Sequence, residues 1–244
     1  MTPLSFQSSS LLSWGVFKGR RRKSDSPYIE SLWEGVAQNG GIHLTAADAT
    51  IDIACLKRRG TTHLFLSGPA SKVQVEQFEA GDEVLTIRLR TGVYLPFIAG
   101  ARLADTDTFL PNAGSKHFWL HGSRIAFPNF DNAEIFIEQL AMLGLLSRNI
   151  SLENALENRS SRNSIRTMQR LSLATTGLTM SCIRQIKRAE QAKGLLATNY
   201  PFTRVAYDVG YSNPGHMTNA FKYFFGRTPS ALRKLIQQDQ LAGL

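Results

Sequence analysis

The chain has 244 residues, of which 43% are apolar and 9% aromatic. This composition excludes intrinsic disorder, and the length predicts two modest domains because a typical domain holds ~100–150 residues. The net charge of +9 lies entirely in the C-terminal part. Residues 1–144 carry 14 Lys and Arg against 14 Asp and Glu, whereas residues 145–244 carry 14 against 5. Such segregated charge favours a nucleic-acid partner; the alternative is a solvated basic face without a partner.

Residues 1–26 have the composition of a flexible basic leader. The basic run Lys18–Lys23 follows the short apolar stretch Leu11–Phe17, whereas a secretory signal has its charge first. The run is interpreted as a solubilising tail, or as a source of nonspecific attraction to DNA. No segment approaches the ~20 apolar residues of a membrane span, and Cys55 and Cys182 are too few for a disulfide framework. These features predict a cytoplasmic protein without a membrane partner.

Residues 27–147 are predicted to form a β-rich domain. From about residue 50 to residue 90, apolar and polar residues alternate, and Arg59-Gly60 and Gly81-Asp82 mark turns. Short alternating runs between glycine turns are typical of an antiparallel sheet or a small barrel. After a loop-rich stretch, apolar residues at helical spacing predict a helix that ends this domain.

The sequence of residues 202–233 predicts a helix-turn-helix motif. Gly210 stops a short helix whose Ala206 lets a second helix cross closely, Ser212 or Asn213 caps the next helix, and Pro214 suits its first position. Met217, Phe221 and Phe224 form its buried stripe. A helix with a polar outward face can enter the major groove. That face carries Gly215, His216, Asn219 and Lys222.

A second such motif lies upstream. Ser164 is predicted to cap a helix that ends at Thr176-Gly177 and carries Ile165, Met168 and Leu171 on one face. Three long donors point outward from it: Arg166, Gln169 and Arg170. Arg reads guanine and Gln reads adenine through paired hydrogen bonds. Between the motifs, residues 180–197 follow a helical rhythm, so that a continuous helix fixes their separation. Its polar face carries Arg184, Lys187, Arg188 and Lys193, which either contact phosphates or are simply solvated.

From about Ser151 to Arg233 the chain resembles the DNA-binding domain of the AraC/XylS family. The matching elements are Ser164-x-Arg-Thr-x-Gln-Arg170, Thr176-Gly-Leu-Thr179, Arg188-x3-Ala192-x2-Leu-Leu196, Ala206-x3-Gly-Tyr211 and His216-x4-Phe221-Lys222-x3-Gly226-x-Thr-Pro-Ser230. The resemblance implies seven helices, two reading helices in successive major grooves and a linker helix between them. It implies DNA contacts by Ser164, Arg166, Thr167, Gln169 and Arg170 in the first motif, and by Asn213, Pro214, Gly215, His216, Asn219 and Lys222 in the second.

Three departures from the family pattern affect this expectation. Ser172 stands where the family usually has an aromatic core anchor, which puts the packing of the first reading helix in doubt. Asn219 stands where an Arg is common, and Pro214-Gly215 replaces longer polar residues. We therefore expect the first motif to supply more of the sequence specificity than the second.

The first half resembles, more weakly, the effector domains of one AraC-type subgroup. Gly68-Pro69, Ile87-Arg-Leu89 before Gly92, and Phe118-Trp-Leu-x-Gly-Ser123 carry this resemblance, which implies a β-rich domain that senses a small molecule or pairs protomers. An effector pocket lined by aromatic residues is one interpretation, and ordinary core packing is the other. The residues in question are Tyr94, Phe97, Phe118 and Trp119.

Other kinds of site find little support. His117 and His121 are four residues apart, but no Cys or carboxylate cluster accompanies them. We therefore interpret them as polar loop residues and not as metal ligands. No nucleophile elbow, P-loop or dinucleotide-binding glycine pattern is present, and no metal or cofactor is expected.

The sequence thus predicts an α+β protein, with a β-rich domain followed by an all-α domain over residues 148–244. The predicted function is that of a non-enzymatic, sequence-specific transcription regulator. Its expected partners are double-stranded promoter DNA, a small-molecule effector, a second copy of the chain, and RNA polymerase if it activates. The alternatives are a low-specificity architectural DNA-binding protein and a cupin-like enzyme domain fused to a DNA-binding domain.

Overall fold

The computed structural model describes residues 17–112, 114–156 and 164–242. Strands dominate its first half and helices its second, as expected for an α+β protein. The strands are β1 (Phe17–Lys23), β2 (Ile29–Ala37), β3 (Gly41–Thr45), β4 (Asp52–Arg58), β5 (Thr61–Ser67), β6 (Gln74–Phe78), β7 (Glu83–Leu89), β8 (Val93–Tyr94), β9 (Asp107–Leu110), β10 (His117–Leu120), β11 (Ser123–Ala126) and β12 (Ser147–Arg148). The helices are α1 (Gly100–Leu103), α2 (Ala133–Met142), α3 (Ile150–Leu156), α4 (Ile165–Thr176), α5 (Met180–Leu195), α6 (Phe202–Asp208), α7 (Pro214–Phe225) and α8 (Pro229–Ala242).

The first half is built on a six-stranded antiparallel sheet in the order β1-β2-β7-β4-β5-β9. The alternation seen in the sequence sends one set of side chains to a common face. Leu32, Ile87 and Ile53 lie side by side across three strands and are almost fully buried. Phe136 and Leu140 of α2 pack in the same core. The sheet and the helix that follows it therefore form one hydrophobic unit.

The prediction of a flexible leader is wrong for Phe17–Lys23, which forms the edge strand β1 along β2. Ion pairs explain why so basic a segment is ordered. Arg20 Nε donates to Glu34 Oε1 at 2.6 Å, and Arg22 Nη2 donates to Glu134 Oε2 at 2.8 Å. These two arginines therefore stabilise the β-rich half, and the charge of the strand protects a sheet edge. Residues 1–16 of the predicted leader lie outside the described residues.

The pair between Arg22 and Glu134 makes the stability of this half depend on pH. The hydrogen bond from Arg22 lowers the pKa of the Glu134 carboxyl from its ordinary value of 4.5 to about 2. A depressed folded-state pKa contributes stability above the unfolded value, and this contribution is lost as the pH falls toward 2. We expect Glu134→Gln to lower the free energy of unfolding by about 1 kcal/mol at pH 7, since the pair is partly solvated, and to have a much smaller effect at pH 2, where protonation of the carboxyl weakens the pair. Urea unfolding at both pH values measures this, and an equal loss at pH 2 would contradict the assignment.

Membrane and metal sites find no support in the described residues. None of the helices found there combines the length and the apolar character needed to cross a bilayer. Within the same ranges, no three His, Cys, Asp or Glu are grouped to hold a metal ion. His117 instead lies with its Nδ1 3.2 Å from Arg124 Nη2.

The second half packs around its own core, with Ile183, Val205 and Phe221 fully buried at its centre. Six helices, α3 to α8, lie in the described residues from Ile150 onward, whereas the family resemblance implies seven. This core also takes in Ala46, Ala47 and Ala49, which precede β4 in the first half. The two halves therefore share apolar packing, and the predicted division at residues 147–148 stays a prediction.

Candidate nucleic-acid interface

Helix α4 presents the first predicted reading surface. Its N-cap is Ser164, whose hydroxyl accepts the Thr167 N–H at 3.2 Å, and it ends at Gly177 in the left-handed conformation. Both boundaries follow local sequence signals, a capping hydroxyl and a glycine. Met168 is buried, whereas Arg166, Thr167, Gln169 and Arg170 are exposed, as the spacing predicts. Ile165, which the spacing places on one face with Met168, is 80% exposed.

Ser172 takes part in a hydrogen-bonded turn at the end of α4. It is fully buried, and its hydroxyl donates to the Leu178 carbonyl at 2.7 Å. Thr176 Oγ1 donates to the Ser172 carbonyl at 2.8 Å and accepts the Leu178 N–H at 3.1 Å. These bonds tie the end of α4 to the turn before α5. Sequence reasoning singled out Ser172 as unusual but did not predict this hydrogen-bonded arrangement.

Helix α7 presents the second predicted reading surface. Asn213 Oδ1 accepts the His216 N–H at 2.8 Å, and Pro214 occupies the first turn. Met217 and Phe221 face the core. The exposed side of the helix carries Gly215, His216, Asn219 and Lys222, as predicted, with Asn213 exposed at its cap and Pro214 partly exposed.

His216 is held in place by neighbouring residues. Its Nδ1 lies 3.1 Å from Ser212 Oγ, and its ring meets the Tyr211 ring edge to face with centroids 5.5 Å apart. A fixed ring loses little conformational freedom on contacting another surface. The second surface therefore carries mostly short side chains, and the His216 ring is held in one orientation. The first surface differs in carrying the long donor side chains of α4.

Helix α5 connects the two surfaces and contacts both α4 and α7. It begins at the cap Thr179, whose hydroxyl accepts the Cys182 N–H at 3.1 Å. Two of its cations turn toward protein aromatic rings, with Arg188 over Tyr211 and Lys193 over Phe225. Burial lowers the pKa of Lys193. Lys193 therefore packs within the protein, and Arg184 is the exposed cation of this helix.

The cationic side chains of the two reading surfaces differ from those of the β-rich half in whether they form ion pairs. In the β-rich half, arginines such as Arg58 and Arg88 are paired with carboxylates. Within the described residues, no ion pair involves Arg166, Arg170 or Lys222. Unneutralised cations at exposed positions provide the electrostatic attraction that phosphates need.

The four aromatic residues proposed for an effector pocket lie in different surroundings. Phe118 is fully buried in the core, whereas its neighbour Trp119 is 43% exposed, because successive residues of β10 point to opposite faces. Phe97 stacks on His121, and Tyr94 lies in β8, which pairs with β12. A cavity of about 660 Å³ lies elsewhere, beside β1, β2, β4 and β7. Its lining includes Arg20, Cys55, Lys57, Leu85, Phe127 and Phe130.

Comparison with known proteins matches the helical half. Residues 161–235 match the family model described as a helix-turn-helix domain. Over 68 residues the chain is 41% identical to the HTH-type transcriptional regulator RipA of Corynebacterium diphtheriae, which covers 28% of this chain and 20% of that protein. The chain therefore spans about a fifth of the length of this curated relative. These matches confirm the predicted helix-turn-helix character of the C-terminal part.

Solved structures with similar folds cover nearly the whole chain at low identity. An apo variant of ToxT from Vibrio cholerae strain SCE256 is 11% identical with a TM-score of 0.44, over 88% of this chain and 100% of that one. ToxT from Vibrio cholerae O395 bound to (E)-4-(8-methylnaphthalen-1-yl)but-3-enoic acid is 12% identical with a TM-score of 0.40, over 91% and 99%.

Proposed function

We propose that the protein is a transcription regulator of the AraC/XylS type that binds specific double-stranded promoter DNA, since residues 161–235 match a helix-turn-helix domain. In this proposal α4 and α7 enter successive major grooves on one face of the duplex, about one helical turn (~34 Å) apart. Helix α5 holds the two helices at that separation.

One observation carries the proposal. Helix α4 exposes Arg166, Gln169 and Arg170 together, and no carboxylate among the described residues forms an ion pair with either arginine. An arginine that is exposed, anchored on a capped helix and without a carboxylate partner among the described residues is suited to a bidentate bond with guanine. The whole excess of positive charge lies in the same part of the chain, which supports attraction to the phosphate backbone independently of the family match.

The two reading helices contribute unequally in this proposal. Arg166 and Arg170 supply base contacts with Gln169, while Ser164 and Thr167 at the start of α4 face phosphates. In α7, His216 and Asn219 reach base edges through short side chains, and the flanking positions Asn213, Pro214, Gly215 and Lys222 lie against the backbone. The specificity of the site should therefore be concentrated in the half that α4 contacts.

The β-rich half is proposed to regulate this binding, either by sensing a small molecule or by pairing protomers. The cavity of about 660 Å³ supports the first role, since its size is in the range of small-molecule sites. Apolar Leu85 and Phe130 line it beside the charged Arg20 and Lys57, so it combines an apolar body with a few polar groups, as such sites do. We therefore place the effector there, and not among the four aromatic residues inferred from the sequence.

Selection of bound sites from a random DNA pool tests the proposal. A transcription regulator of this kind should enrich one site that spans two successive major grooves, with the stronger sequence preference in one half. Enrichment of many unrelated sequences with equal affinity would favour the architectural alternative. Enrichment of a single short half-site would contradict the use of two reading helices.

A further inference from the structure

The C-terminal end of helix α4 lies directly against the β-rich half. Helix α1 contacts α4, and the approach involves backbone on both sides. A methyl group placed on Gly100 would lie 2.6 Å from the Gly177 backbone nitrogen and 2.8 Å from that of Thr176. Only a glycine in α1 permits this distance. The end of the first reading helix is thus seated on α1.

The C-terminal end of helix α7 is joined to the same half by backbone hydrogen bonds. The last carbonyls of a helix lack partners within it. Here the Phe224 carbonyl accepts the Ala47 N–H at 2.7 Å, and the Tyr223 carbonyl accepts the Val73 N–H at 3.0 Å. The end of the second reading helix therefore has its free acceptors satisfied by two residues of the β-rich half.

The segments that hold the two helix ends are themselves bonded into one unit, which we call the brace: residues 46–50, 68–73 and 100–106. Asp48 and Ala70 exchange backbone hydrogen bonds at 2.8 and 3.0 Å. The Asp105 N–H donates to the Pro69 carbonyl at 2.9 Å, and the Gly68 N–H donates to the Thr106 carbonyl at 3.1 Å. One rigid body therefore contacts α4 at one end and α7 at the other.

Asp105 fastens the brace at its centre. Its Oδ1 accepts the Ser71 N–H at 2.7 Å, and its Oδ2 accepts the Ser71 hydroxyl at 2.8 Å. Its φ of 56° lies in the left-handed region, where Asp and Asn are better tolerated than other non-glycine residues. The side chain is exposed, so that its replacement leaves both hydrophobic cores intact.

We propose that the brace is a specificity-determining element that sets which spacing of the two half-sites the protein accepts. The proposal rests on the proposed function, since it concerns how the same two helices bind DNA. Helix α5 joins α4 to α7 through side-chain packing. The brace provides a second connection between α4 and α7, through backbone contacts at their C-terminal ends. Two connections fix both the separation and the relative rotation of the two reading helices. Rigid linkage of two binding modules raises affinity only when their spacing matches the target.

Binding to DNA in which the half-sites are moved apart by single base pairs tests this. Wild-type protein should prefer one spacing sharply. Asp105→Ala should lose at least about tenfold in affinity at that spacing, change less than about twofold at the others, and bind an isolated half-site unchanged. Asp105→Asn retains an oxygen for the Ser71 N–H and should recover most of the preference. Asp25→Ala, at an exposed position outside the brace, serves as the matched control. An unaltered spacing profile, or tighter binding at the preferred spacing, would overturn the proposal.

A measurement without DNA separates this proposal from the proposed function. Spin labels are placed at Gln169 on α4 and Asn219 on α7 after Cys55 and Cys182 are replaced with serine. The distance distribution between the labels should be narrow in the parent and broader in Asp105→Ala and in Gly100→Val. Broadening supports the brace even if the wild-type protein selects no DNA. Identical distributions in all three proteins would overturn the brace whatever the DNA result.

Discussion

Replacing Arg166 with alanine should weaken binding to the selected site by about 1–3 kcal/mol, roughly 5- to 160-fold, and relax the preference at one base pair. Arg166 lies in the first turn of α4, is exposed, and forms no ion pair among the described residues. The Ser164 cap holds that turn, so the guanidinium approaches the groove from a fixed backbone. Quantitative gel shifts on the selected site and on single-base variants of it measure both effects.

Lys222→Ala is the matched control for that result. Lys222 is exposed in the last turn of α7, where a compact ammonium suits a phosphate contact more than a base contact. Its removal should weaken binding to all sequences to a similar degree and reduce the salt dependence by about one counterion. If Arg166→Ala instead loses affinity equally on random DNA, Arg166 contacts the backbone and its reading role is wrong.

Arg88→Ala should destabilise the fold by about 3–5 kcal/mol, the largest stability effect that we expect. Arg88 is 7% exposed, and its Nη2 lies 3.0 Å from Asp48 Oδ2 and 3.1 Å from Asp52 Oδ2. Both carboxylates are themselves buried. Removing the guanidinium leaves two buried negative charges near each other without their cation, which costs far more than the pair contributes.

The control for this prediction is an exposed arginine in the turn between β4 and β5. Arg59 is 81% exposed and pairs with Glu79 at 2.8 Å, so Arg59→Ala should cost no more than about 1 kcal/mol. Urea unfolding at pH 7 compares the two. A deficit below 1 kcal/mol at pH 7 would show that the carboxylates find other partners.

Local signals explain what the sequence could predict. The caps Ser164 and Asn213, the stop at Gly177 and the alternation of β4 and β7 each depend on residues within one turn or one strand. Apart from Ile165, the exposed faces of α4 and α7 follow from helical spacing. These features together define the candidate interface before any tertiary contact is known.

Contacts between distant residues explain what the sequence could not predict. Strand β1 is ordered by Glu34 and Glu134, of which the second lies more than a hundred residues away. The brace depends on residues near Asp48, Ala70 and Asp105 meeting helix ends much later in the chain. Nothing in the pattern Ala-Asp-Thr-Asp around Asp105 distinguishes it from an ordinary loop.

Hydroxyl-radical footprinting on the selected site measures whether α4 and α7 occupy two successive major grooves. We expect two protected patches on one face of the duplex, offset by about one helical turn. Arg166→Ala should weaken the protection of one patch, and His216→Ala that of the other. A single protected patch, or two patches that fade together in both variants, would show that the two helices do not bind successive grooves.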